Sequence, residues 1–218
     1  MIDFNLLLAT LANKRPVFHS EADFQHALAW ELQLLDPNVN IRLEYRPPWL
    51  DRRNYMDIWV IDEDTAIAVE LKYKTRSVDI SIGHEQFALQ NQAAQDLGRY
   101  DFVKDIERLE RVVAAGRQVV GYAIILTNDS TYWRLPRKND SVDANFRIYE
   151  GRVLSGLLSW DPRASEGTRR GRTDSIHLTG SYRLGWRNYS DLDGPQHMEF
   201  RYALVQVSDR HTVALQRS

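Results

Sequence analysis

Up to Leu126 the apolar and polar positions fall into a few clean patterns. Phe24, Ala27, Leu28, Leu32 and Leu35 recur at three- and four-residue spacing, as in a helix that buries one face. Ser20 is a suitable N-cap, Asp23 takes the capping-box position, and Asp36-Pro37-Asn38 stops the helix. Val39 to Tyr45 alternates like a strand until Pro47-Pro48 ends it. Two short apolar strand-like segments follow, Tyr55 to Ile61 and Ala66 to Lys72, joined by the acidic turn Asp62-Glu63-Asp64. A second helical stretch is expected from Glu85 to Ala115, interrupted near Gly98 and closed by Gly116. Val119 to Leu126 is apolar on both faces and reads as a buried strand. The expected order is helix, strand, strand, strand, helix, strand.

Beyond Thr127 the pattern changes to short aromatic-rich strand candidates separated by Gly, Pro, Asp and Ser. These are Phe146 to Tyr149, Ser175 to Leu178, Tyr182 to Trp186, and Phe200 to Val207, the last alternating cleanly enough to join the sheet. Asp161 to Thr173, rich in Arg, Gly and Ser, is the candidate for a disordered loop. The whole reads as one α/β domain over 1–218, with a core at about 18–126 and a β-rich elaboration at about 127–218.

Composition narrows the setting. The chain has 218 residues, 43% hydrophobic and 27% charged, and no cysteine, so disulfides and cysteine-held zinc are excluded. Met1 to Leu11 is apolar but lacks a basic n-region and a cleavage site, and no apolar run reaches the roughly 20 residues of a membrane span. A cytoplasmic protein without membrane contact is expected. A net charge of −2 argues against non-specific coating of nucleic acid. Local basic clusters remain: Arg42/Arg46 with Arg52/Arg53, Lys72/Lys74/Arg76, Arg134/Arg137/Lys138 and Arg169/Arg170/Arg172. Any one of them also fits a solvated loop.

The chemistry is concentrated in the two apolar segments, because both carry ionisable groups where burial makes them expensive. Glu70 and Lys72 project to one side of their strand with Leu71 opposite, and Asp57 lies on the neighbouring strand. Asp57 and Glu70 can supply carboxylates, and Leu71 its carbonyl, to Mg²⁺, with Mn²⁺ as a substitute. Lys72 can orient an attacking water or stabilise a phosphorane. Glu21, in the first turn of the first helix, can reach back to a second metal or a metal-bound water. The structural alternative is a solvated strand face with a cross-strand ion pair, and for Glu21 a helix-dipole role.

This pattern resembles the PD-(D/E)XK, or restriction-endonuclease-like, nuclease superfamily. Its motif is an Asp, a variable gap, then Glu/Asp-x-Lys; here Asp57, twelve residues, and Glu70-Leu71-Lys72. Met56 stands where many members have Pro, and Glu21 looks like the acidic residue often found in the first helix. The resemblance spans about Phe18 to Leu126 and implies an αβββαβ core, a mixed central sheet flanked by helices, and Mg²⁺-dependent cleavage of DNA. It also implies a Gln, Lys or Tyr from the second helix near the metal or the DNA backbone: Gln92 first, which shares a helical face with Asp96, Arg99 and Tyr100, and Gln95 second. An ordinary solvated face is the alternative. Lys74 and Arg76, delivered by the strand that carries Lys72, are the expected phosphate contacts, and a homodimer is compatible with the pattern. None of His19, His26, His84, His177, His197 or His211 has metal-ligand spacing, although His19 could approach the site. Two rivals stay open: a binding module that kept this fold and lost catalysis, and a carboxylate-pair hydrolase of unrelated fold acting on a sugar.

Overall fold

The computed structural model, which describes residues 2–50, 55–116, 118–194 and 196–209, begins with a helix that the sequence reading did not assign. In α1 (Phe4–Lys14), Phe4, Leu7, Leu8 and Leu11 form a buried stripe, and Asp3 caps the N-terminus by accepting from Asn5 N and Leu6 N. Helix α2 (Glu21–Leu35) has the expected bounds: Ser20 Oγ accepts from Asp23 N at 3.1 Å, and Phe24, Leu28 and Leu32 are buried. Strands β1 (Asn40–Tyr45), β2 (Met56–Asp62) and β3 (Thr65–Lys74) follow.

The helix expected from Glu85 is replaced by a hairpin of β4 (Val78–Ile82) and β5 (Glu85–Leu89), turning at Gly83 with φ +59°. Five residues cannot separate the two periodicities, and pairing with β4 decides for the strand because it buries Val78, Phe87 and Leu89. Helix α3 (Gln95–Ala115) starts ten residues later and runs through Gly98 unbroken. Gly98 is there for a close approach: a Cβ would collide with the Tyr132 hydroxyl. Strand β6 (Val119–Thr127) closes the first half.

In the second half, β7 (Val153–Leu158) pairs with β8 (Ile176–Arg183), while β9 (Trp186–Asp191) and β10 (Glu199–Val207) join the main sheet. Three expectations need correction. Phe146 to Tyr149 is not a strand: Ala144–Phe146 is a 3₁₀ turn, and Phe146 packs edge-on against Tyr100 and Trp160. Tyr182 to Trp186 is divided between β8 and β9, and Ser175 to Leu178 is the start of the longer β8. The segment 161–173 is a series of turns fastened to the body: Trp160 Nε1 donates to Arg172 O, and Arg172 pairs with Asp101 at 2.6 Å.

The fold is thus mixed α/β. A six-stranded sheet runs β1-β2-β3-β6-β10-β9, parallel between β3 and β6 and antiparallel elsewhere. The β3–α3–β6 crossover lays α3 on one face; α1 and α2 cover the other. Alternation along β3 sends Val69, Leu71 and Tyr73 into the α1/α2 layer, so Glu70 and Lys72 fall on the α3 side. The two halves are stitched together: Tyr189 Oη donates to Arg15 O at 2.8 Å and Ser190 Oγ to Pro16 O at 2.6 Å. Among the described residues, no helix is long and apolar enough to cross a membrane.

Candidate active site

Strands β2 and β3 pair from Asp62/Thr65 down to Ile58/Val69, and there the ladder ends. Strand β3 continues to Lys74, still in register with β6, so its edge toward β2 is left with free backbone groups. Two carboxylates enter that gap. Asp57 Oδ2 accepts from Leu71 N at 2.6 Å, and Glu21 Oε2 accepts from Tyr73 N at 2.7 Å. Lys72 Nζ donates to the Leu71 carbonyl at 2.9 Å. Gln25 fixes the arrangement from α2, its amide reaching Asp57 O at 2.7 Å and Glu44 Oε1 at 2.9 Å. Backbone groups that would otherwise pair across the sheet are therefore satisfied by acids.

On the α3 side the remaining charges interlock. Lys72 Nζ lies 2.8 Å from Asp105 Oδ2, and Glu70 Oε1 lies 3.1 Å from Arg108 Nε; Arg108 also binds Asp105. Glu70 is only 2% exposed and Asp105 3%. Four carboxylates, Glu21, Asp57, Glu70 and Asp105, face two cations, Lys72 and Arg108.

Burial sets the titration behaviour of the acids, and that imbalance adds to it. Burial, with Asp105 and Glu21 adding to it, pushes Asp57 up to about 6 against the pull of Lys72 and the Leu71 N–H. Burial, then Asp105 and Asp57, raises Glu70 well above the usual carboxylate range. Burial works against the Lys72 ammonium, but Asp105, Glu21 and Asp57 outweigh it and hold the proton more tightly than usual. A cluster of four carboxylates and two cations offers the hard oxygens that a divalent cation such as Mg²⁺ takes. Among the described residues, however, no three acidic or histidine side chains already converge on one ion position. Arg108 takes up the Glu70 oxygen in that arrangement.

Of the residues singled out by sequence, Glu21, Asp57, Glu70, Leu71 and Lys72 are brought together. Gln92 is not: it lies exposed in the loop between β5 and α3, its N–H donating to Thr75 O at 2.8 Å. Its expected place on a helix fell with the helix start. Gln95 donates to Asp129, Arg99 pairs with Asp143 at 2.7 Å, and Tyr100 Oη donates to Asp174 O, so that face serves the fold. Lys74 is half-buried at the end of β3, on the Lys72 side by alternation. Arg76 is drawn away by Asp129 at 3.0 Å and Asn91 at 3.2 Å. His19 stacks on Phe87 and lies 2.8 Å from Glu85, tying α2 to the hairpin. Arg52, Arg53 and His211 lie outside the described residues.

Asp105 and Arg108 were missed. The available signal was an acid inside the buried stripe of α3, three residues after Phe102 and four before Leu109, where charge needs a partner. No family model, curated protein or solved structure matches this chain.

Proposed function

We propose that this chain is a metal-dependent nuclease of the PD-(D/E)XK kind that hydrolyses DNA phosphodiester bonds. The observation that carries the reading is the parting of β2 from β3. It leaves Asp57 bound to the peptide N–H between Glu70 and Lys72, with Glu21 on the second N–H along. The order α2, β1, β2, β3, α3, β6, with β3 parallel to β6, supports it, since it agrees with the core that the resemblance implies once the β4–β5 hairpin is treated as an insertion.

Asp57, Glu70 and the Leu71 carbonyl would hold the Mg²⁺, which when bound activates water and screens phosphate charge. Lys72 is held protonated by its carboxylate neighbours, which makes it a stabiliser of negative charge on phosphorus rather than a general base. Asp105 fixes the Lys72 ammonium from α3, and Glu21 fixes the backbone of β3 beside it. The reaction adds water oxygen to phosphorus and expels a sugar oxygen, so the charge that Lys72 meets grows toward the transition state.

Incubation of the purified chain with supercoiled, linear and single-stranded DNA in Mg²⁺ or Mn²⁺ tests the reading. Metal-dependent cleavage that disappears on chelation and in Lys72→Ala is expected. No cleavage of any form with either metal overturns it.

One observation favours a second reading, a nucleic-acid- or protein-binding module without catalysis. The Arg108–Glu70 and Lys72–Asp105 pairs give both motif residues a partner with no metal bound. In that case calorimetry shows no Mn²⁺ uptake while partner binding persists.

A further inference from the structure

The face of α3 that walls the carboxylate centre has a use that β3 alone cannot serve. Asp101, Lys104, Asp105, Arg108 and Arg111 recur at three- and four-residue spacing and so form one strip. With Lys72 they line a pocket of about 320 Å³ in which every lining residue is charged.

Its acids are engaged inside the protein: Asp105 by Lys72 and Arg108, and Asp101 by Arg172. Among the cations, Lys72 and Arg108 are turned inward to the centre, whereas Arg111 is exposed. Lys104, its side chain 36% exposed, makes only an i,i+3 pair with Glu107 at 2.7 Å, the kind of partly exposed pair that a phosphate can displace. The outward charge of the strip is therefore carried by Lys104 and Arg111. Seven residues separate them, about 10 Å along a helix axis, the rise of about three nucleotides of one duplex strand.

We infer that this strip of α3 seats the nucleic-acid backbone, with Lys104 and Arg111 binding phosphates on either side of the one presented to Lys72. The inference rests on the nuclease reading and names its substrate contacts. It also places them away from Arg76, whose guanidinium is committed to the deeply buried Asp129, a partner it cannot leave as readily as Lys104 can leave Glu107. The strip carries both signs, in keeping with the chain's weak net charge, so attraction for phosphate is local to Lys104 and Arg111.

Fluorescence anisotropy with a short labelled DNA duplex, on the full chain carrying Lys72→Ala, tests this across a range of NaCl concentrations. Adding Lys104→Ala and Arg111→Ala should weaken binding by roughly tenfold at low salt and flatten the slope of log affinity against log salt by about two phosphate contacts. Lys104→Arg with Arg111→Lys should restore both. The two positions are surface ones, and an unchanged thermal unfolding curve confirms that the fold is intact. The same comparison on the wild-type chain in chelator removes any dependence on the Lys72 substitution.

If the double alanine variant binds with the parent's affinity and slope while the wild type cleaves, the seat lies elsewhere and the nuclease reading stands. If the wild type neither cleaves nor binds DNA, both fall. Binding of a polyglutamate peptide through Lys104 and Arg111 in place of DNA also overturns the inference, in favour of an acidic protein partner.

Discussion

Two buried charge clusters sit along α3, and they treat their carboxylates in opposite ways. Near the start of the helix, Asp143 receives Arg99 at 2.7 Å and Arg147 at 3.2 Å, and Asp129 receives Arg76, Gln95 and the Thr131 N–H. Burial works against both anions. Thr131, Gln95 and Arg76 nevertheless hold Asp129 below the ordinary range, as Ser141, Arg99 and Arg147 do Asp143. Further along the same helix, beside Asp105 and Arg108, burial wins, and Asp57 and Glu70 sit above the ordinary range. Asp57 and Glu70 are the more heavily desolvated pair and also receive fewer donors, so depth and donor supply act together. The cluster near the start of α3 satisfies its acids; the one at the β2–β3 gap leaves them short of positive charge.

The contrast can be broken most forcefully at the gap. Asp57→Asn and Lys72→Ala should each lower DNA cleavage by about a thousandfold or more. They should part in Mn²⁺ calorimetry, where only Asp57→Asn loses affinity, because a charged hard-oxygen ligand becomes neutral. Equal loss of metal binding in both variants contradicts the assigned roles.

At the other cluster the expected effect is on stability. Arg99→Ala removes one of the two guanidinium partners of the buried Asp143, leaving Arg147, and should cost about 1–3 kcal/mol in denaturant unfolding. Cleavage per folded molecule should be preserved; a specific loss of cleavage at full stability would show that this cluster belongs to the site.

A smaller effect concerns pH. Asp57 has a folded value of about 6 against an ordinary 3.8, so the folded state prefers its protonated form. Its contribution to stability is present below 3.8 and is lost as pH rises toward 6. The metal-free protein should therefore gain from this group on acidification through that window, and Asp57→Asn should flatten the gain in melting curves. Asp129 and Asp143 run the other way: held low, they contribute above the ordinary carboxylate value and lose that contribution only in stronger acid. Smallest of all, Gln92→Ala should leave cleavage unchanged, since its side chain is exposed on a loop. A large loss there would restore the expectation drawn from sequence.

What could be read in the sequence was set by local physics. Helix α2 carried both a cap and an apolar stripe, and β2, β3 and β6 were apolar runs of strand length. Asp57, Glu70 and Lys72 stood out because charge inside such runs demands a purpose. Helix α1 was legible as well, since Phe4, Leu7, Leu8 and Leu11 have helical spacing, but an apolar N-terminal stretch first raises the question of a targeting segment. Glu85 to Leu89 fits either period, and contact with β4 settles it, which no local window contains. Asp105 and Arg108 became meaningful only once α3 was seen to lie over β3 on the Glu70 side.

The stitching of β9 to the segment before α2 bears on when the centre becomes complete. Arg15 and Pro16 lead into the turn that starts at Ser20 and presents Glu21, yet their carbonyls are held by hydroxyls 174 residues away. Closing a loop of that length costs about 4–5 kcal/mol of chain entropy beyond a constant, so this anchoring belongs late in folding, after the more local β2–β3 and α3–β6 contacts. Synthesis from the N-terminus delays it further. A nascent chain that has emerged only through β6 already carries Asp57, Glu70 and Lys72, but the hydroxyls that steady the approach of Glu21 have yet to be made.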